Sequence, residues 1–349
     1  MLKERELLLL AVVCNRSEEE EKRLEQVLQE PIDWVWIGGQ LLHHRLGGYF
    51  YKGLGKHQDK LFKELAVALE LLVKAQAQQF KQTIELTQPI FDSFEKIGIR
   101  YAALKGHVFN ASLYSLGERR SNDSDIMVLE EDLDKVDAVL RESGYIQTNM
   151  ANNQFVEATR KEKLIQRMNY HDLVPYVKQT GSEWLMYHEF DINFHFDSKS
   201  NDISNQVYEM GLHTYERDGY KVRGLRWETH LAHLCVHFYR EGSSTIWSAG
   251  RRDVVLYKLI DIINTIRQYR NHPDFQQWVS TIRELQLEKA AYYTLYHVMQ
   301  FYPNLLSKEF VDQLKPDNIE YLYEIAVSGS TQIEKRNVSF VDTAFQWKY

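Results

Sequence analysis

Apolar positions follow a helical period at both ends of the chain and an alternating one in the middle. Ser17-Glu18-Glu19-Glu20 offers a capping box with Leu24 and Val27 behind it. Across residues 57–97, Leu61, Phe62, Leu65, Leu69, Leu72, Ile84, Ile90, Phe91, Phe94 and Ile97 recur at helical spacing until Gly98 supplies a C-cap. The same period returns after Trp227, in Leu231, Leu234, Cys235 and Phe238 and again over residues 254–266. Between these stretches, residues 99–104 read as a short buried strand and 107–116 as helix-like. Leu133, Val136, Val139 and Leu140 share a helical face that Gly144 ends before a strand at Tyr145-Ile146. Over residues 188–196 the alternation is strict: His188, Phe190, Ile192, Phe194 and Phe196 on one face, Glu189, Asp191, Asn193 and His195 on the other. This order predicts an α+β fold, a small mixed β-sheet core at 99–224 between a helical lobe at 1–98 and a helical lobe with tail at 225–349. Residues 148–170 are polar and read as a loop over the core or an insertion, and 329–349 as a docked arm or a tail.

The polar positions of the middle segment carry the candidate chemistry. Asp123 and Asp125 flank Ser124 at the start of the apolar run Ile126-Met127-Val128, so in an extended strand both carboxylates point to one face. Their mutual repulsion is tolerated where a divalent cation sits between them, although an ordinary turn entering a strand can show the same pair. Lys105-Gly106 stands at a strand-to-helix turn, where glycine lets a phosphate reach the backbone and the lysine and helix start supply positive potential. If the strand holding Asp191 pairs with that of Asp123, a third carboxylate joins the cavity. Three acids, a Lys-Gly turn and the preceding Arg119 suggest a divalent-ion site that handles a nucleotide.

Leu104-Lys105-Gly106, then Tyr114, Gly117 and Arg119, then Asp123-Ser124-Asp125-Ile126-Met127-Val128, then Leu140 and Gly144-Tyr145 resemble a bacterial nucleotidyltransferase family of the DNA polymerase beta-like nucleotidyltransferase superfamily. Pro31-Ile32-Asp33-Trp34, His171, Pro175, the strand around Asp191, the run from Leu231 to His237 and Asp261 follow in the family's order, so the resemblance spans about residues 30–275. The chain departs from the pattern at His107, where the superfamily has serine after glycine, at Asn193 in place of a histidine, and at Arg120 in place of a proline. The resemblance implies transfer of a nucleoside monophosphate from an NTP to an unknown acceptor. Asp123, Asp125 and Asp191 would hold two Mg2+ (or Mn2+) ions, and Lys105, Gly106, His107, Arg119 and Ser121 would bind the nucleotide. His171, Asn193, His195, His233 and His237 are candidate substrate contacts.

Composition narrows the alternatives. A net charge of −7 disfavours non-specific nucleic-acid binding; Arg160-Lys161-Glu162-Lys163 and Arg251-Arg252 are candidates for a local basic patch, although charge runs of this kind are mostly solvated faces. Two cysteines, Cys14 and Cys235, argue against a disulfide framework and for a cytoplasmic setting. The apolar run from Leu7 to Cys14 follows an N-region interrupted by Glu4 and Glu6 and is too short to span a bilayer, so it reads as a buried helix. His230, His233 and His237 lie along one predicted helix, which leaves a zinc hydrolase open beside packing or ligand contacts. A further alternative is a relative that binds nucleotide without transferring it. Oligomeric state is not legible.

Overall fold

The computed structural model describes residues 2–148, 150, 155–197, 202–249 and 252–346. Two compact units divide the chain, residues 73–230 and residues 1–72 with 231–349. The expected division at 98 and 224 differs from this one. The helix Lys63–Lys96 is continuous, with residues assigned to both units, and the two terminal helical stretches belong to a single unit.

The unit of residues 73–230 is built on a seven-stranded mixed sheet: β1 (Tyr101–Ala103), β2 (Ser124–Val128), β3 (Ile146–Gln147), β4 (Tyr176–Gln179), β5 (Tyr187–Asn193), β6 (Leu212–Arg217) and β7 (Tyr220–Leu225), in the order β3-β4-β5-β2-β1-β7-β6. β2 is antiparallel to β1 and parallel to β5, while β1 is parallel to β7. The alternation read at 188–193 is realised in β5, whose His188, Phe190 and Ile192 are buried while the residues between them keep some exposure. Phe190 and Ile192 join Ile126 and Val128 of β2, Tyr101 and Ala103 of β1, Phe91 and Phe94 of the long helix, and Val136 and Leu140 of the helix Leu133–Glu142 in one apolar core. Burial of such side chains contributes roughly 25 cal/mol per Å2 and fixes which sheet face is inward. Gly117 holds a left-handed φ of +82°, and a Cβ there would lie 2.3 Å from the Val73 carbonyl oxygen.

Residues 148–170 are not simply a loop. Arg160–Tyr170 is a helix, started by a capping box in which Thr159 and Glu162 satisfy each other's backbone N–H, and none of its residues is buried. Asn149 and residues 151–154 lie outside the described residues.

The other unit is mainly helical. Leu7 and Leu8 of the helix Leu2–Ala11 have no exposed surface, as a buried amphipathic start requires. Tyr49 donates its hydroxyl to Asp261 at 2.8 Å, and Asn264 binds both the Cys14 N–H at 2.9 Å and the Val12 carbonyl at 3.2 Å. Both anchors stand on the helix Leu256–Tyr269. Near the C-terminus, β8 (Glu324–Ala326) pairs with β9 (Ile333–Lys335), and the helix Phe340–Phe345 buries Phe340 and Phe345, so this part of the chain is docked. Among the described residues no helix is long and apolar enough to cross a membrane.

Candidate active site

β2 and β5 run parallel with Ser124 opposite Phe190 and Asp125 opposite Asp191. Side chains two apart share a face, so Asp123 and Asp125 project to the same side of the sheet as Glu189 and Asp191, away from the core formed by Ile126, Phe190 and Ile192. Burial, then the charge of Asp125, raises the Asp123 carboxyl above its ordinary range, against the opposing pull of Lys105 and Arg119. Asp191 is raised well above its usual value by burial and then by Asp125, Asp123 and Glu189. Glu189 is raised by burial and by Asp123, although it is hydrogen-bonded to Asp191. Four carboxyl groups therefore feel one another in a place poor in water.

The turn after β1 brings the cation. The Leu104 N–H donates to the Asp125 carbonyl at 3.0 Å, and Lys105 Nζ sits 2.6 Å from Asp125 Oδ1. Lys105 has a left-handed φ of +41°, and its N–H donates to His230 Nε2 at 3.1 Å. Gly106 is dictated by close approach: a Cβ there would lie 2.6 Å from Ser121 Oγ and 3.2 Å from Arg119 Nη1. Arg119 is 6% exposed, lies 5.2 Å over the Phe109 ring, and donates from Nη1 to the Arg120 carbonyl and to Ser121 Oγ. Lys105, Gly106, Arg119 and Ser121 thus adjoin one another beside Asp123 and Asp125.

A divalent cation fits this donor set, because the carboxylates outnumber the Lys105 and Arg119 charges near them and two of the three candidate ligands are pushed toward the protonated form without one. The ammonium of Lys105 lies against Asp125. Among the described residues, the group of potential ligands whose atoms all lie within 4.8 Å of one another is Glu21, Glu25 and His57, in the other unit. Arg16 pairs with Glu21 at 2.7 Å and Lys56 with Glu25 at 2.8 Å, so the charge of those acids is already matched.

Other expected residues lie elsewhere. His107 is 1% exposed with both ring nitrogens engaged, Nδ1 with Tyr220 and Nε2 with Ser124, so it belongs to the core face and not to a phosphate. The helix begins at Lys105, two residues before its expected start, and that offset turns His107 inward. His171 and His195 stack on each other at 4.2 Å, His195 lying past the end of β5, while Asn193 shares the Asp191 face but stands opposite Met127. His233 and His237 belong to the other unit, His237 lying 3.6 Å from Glu241. His230, buried and held neutral with its pKa lowered to about 3 by burial and by Arg119 and Lys105, accepts the Lys105 N–H. These three imidazoles form no ligand cluster among the described residues. Glu189 is the acid that sequence reasoning placed on the right face without assigning it a role.

No curated protein and no solved structure matches the chain. Residues 30–303 match the family described as uncharacterised nucleotidyltransferase, a span that covers most of the chain and includes Lys105, Asp123, Asp125 and Asp191, and the protein is accordingly a member of that family, an enzyme that transfers nucleotidyl groups.

Proposed function

We propose that the enzyme moves a nucleoside monophosphate from an NTP to a hydroxyl or similar nucleophile of a small molecule, peptide or protein, in natural-product tailoring, with Mg2+ or Mn2+ held by Asp123, Asp125 and Asp191. The observation that carries this reading is the register placing Asp125 directly opposite Asp191, with Asp123 on the same face and Lys105 against Asp125. Two bound ions would neutralise the triphosphate and stabilise the entering and leaving oxygens of an in-line displacement. Lys105 would exchange its Asp125 partner for a phosphate oxygen, and Arg119, packed on Phe109, would offer a second fixed positive charge. Asp191, with Glu189 hydrogen-bonded to it, would take the proton from the attacking nucleophile.

The test is to incubate the protein with extract fractions, Mg2+ and NTPs labelled at either the α or the γ phosphate. Label from the α position is expected on an acceptor, with pyrophosphate released, and Asp125→Asn is expected to lower the rate by more than about a hundredfold with an unchanged circular dichroism spectrum. Transfer of γ label alone, or full activity of Asp125→Asn, overturns the reading.

A further inference from the structure

On the core face of the sheet, behind the acids, five buried side chains join into one hydrogen-bonded chain. Tyr220 meets His107 Nδ1, His107 Nε2 meets Ser124 Oγ at 2.6 Å, Ser124 Oγ meets His188 Nε2 at 2.9 Å, and His188 Nδ1 meets the Tyr145 hydroxyl at 2.8 Å. Exposure is 6% at Tyr220, 1% at His107, His188 and Tyr145, and 0% at Ser124. Burial lowers the pKa of His107 to about 4 and that of His188 to about 3, so both rings are neutral and carry one hydrogen each. Every link then has one donor and one acceptor when the chain runs from Tyr220 to Tyr145, and equally in reverse.

The chain touches the segments that carry Lys105, Asp123, Asp125 and Asp191. His107 stands two residues after Lys105, Ser124 lies between Asp123 and Asp125, and His188 precedes Glu189 and lies three residues before Asp191. An apolar core of the same shape would hold the sheet as well, since a satisfied buried hydrogen bond contributes little net stability. What apolar packing lacks is direction: a connected polar chain admits one relative placement of its members, because a small slide leaves buried donors unpaired at a cost.

We infer that the Tyr220-His107-Ser124-His188-Tyr145 chain is a positioning device that holds the Lys105 turn and the Asp123/Asp125 and Asp191 strands in the register their carboxylates need. This deepens the proposed function and rests on it. Ser124 is the central link, and its hydroxyl faces away from the acids, so removing it changes no ligand atom.

The test compares wild type with Ser124→Ala by Mn2+ titration followed by electron paramagnetic resonance, and by kcat and KM for the NTP. The expected result is Mn2+ binding weakened roughly ten- to a hundredfold, as for outer partners of metal ligands, with kcat lowered and KM for the NTP little changed. A folded Ser124→Ala protein with wild-type Mn2+ affinity and kcat overturns the inference. Should that variant fail to fold, Tyr145→Phe, which removes the terminal hydroxyl at nearly constant volume, decides by the same two readings. If the wild type transfers from no NTP, the functional reading fails separately, and the Mn2+ titrations still decide: a tenfold gap upholds the chain's role and equal affinities overturn it.

Discussion

Asp191 shows what burying a carboxyl group among other acids costs the fold. Burial and then Asp125, Asp123 and Glu189 place its folded-state pKa well above the ordinary 3.8 of the unfolded chain. A group raised in this way stabilises the fold fully below its unfolded pKa, and that contribution is lost as pH rises through the folded one. In the presence of a chelator, Asp191→Asn is therefore expected to melt at the wild-type temperature near pH 4 and above it by several degrees at neutral pH, with the gap widening as pH rises between. Differential scanning calorimetry at a series of pH values checks the sign; a gap that shrinks with rising pH contradicts it. Added Mg2+ should close the gap from the wild-type side, because a cation between the acids relieves the same repulsion.

At the scale of elements, the turn from β1 into the helix Lys105–Ser112 is fitted against the segment 119–121. Gly106→Ala would place a methyl group 2.6 Å from Ser121 Oγ and 3.0 Å from its Cβ, so Ser121 and Arg119 must move. Activity is expected to fall roughly tenfold or more, because a displacement of about 1 Å near reacting groups is costly, while stability changes by only about 1–2 kcal/mol. Adding Ser121→Gly to that variant should restore most of the activity, and a double-mutant cycle without coupling would contradict the fit. Elements of this kind were unevenly legible. β5 could be read because one of its faces is wholly buried, so its polarity alternates. The helix Arg160–Tyr170 could not be read from period, since it buries none of its residues, although Thr159-x-x-Glu162 marked its start. β6 and β7 were missed, and the pairing of Asp125 with Asp191 joins residues far apart in sequence, which no local pattern specifies. The motif gave the acids; the Tyr220 to Tyr145 chain was hidden because its members are scattered and only the register assembles them.

Over the whole molecule, five of the thirteen histidines are buried and held neutral. Burial lowers the pKa of His44, His188, His230 and His297 to about 3 and that of His107 to about 4, from an ordinary 6.5. A depressed base contributes stability that is present above the unfolded pKa of 6.5 and is lost as pH falls through the folded values. These five groups outnumber the three raised carboxyls, so the urea midpoint without divalent ions is expected to drop between about pH 7 and about pH 5. A midpoint that holds steady or rises over that range contradicts the assignment. The contact of Lys105 with Asp125 bears on how the enzyme is loaded. On the proposed function, a metal arriving alone would compete with an ammonium for an Asp125 oxygen, and a triphosphate arriving alone would meet a lysine already engaged. Each ligand would free a partner for the other, so the two should bind synergistically, the metal more tightly with a nucleotide at hand than by itself.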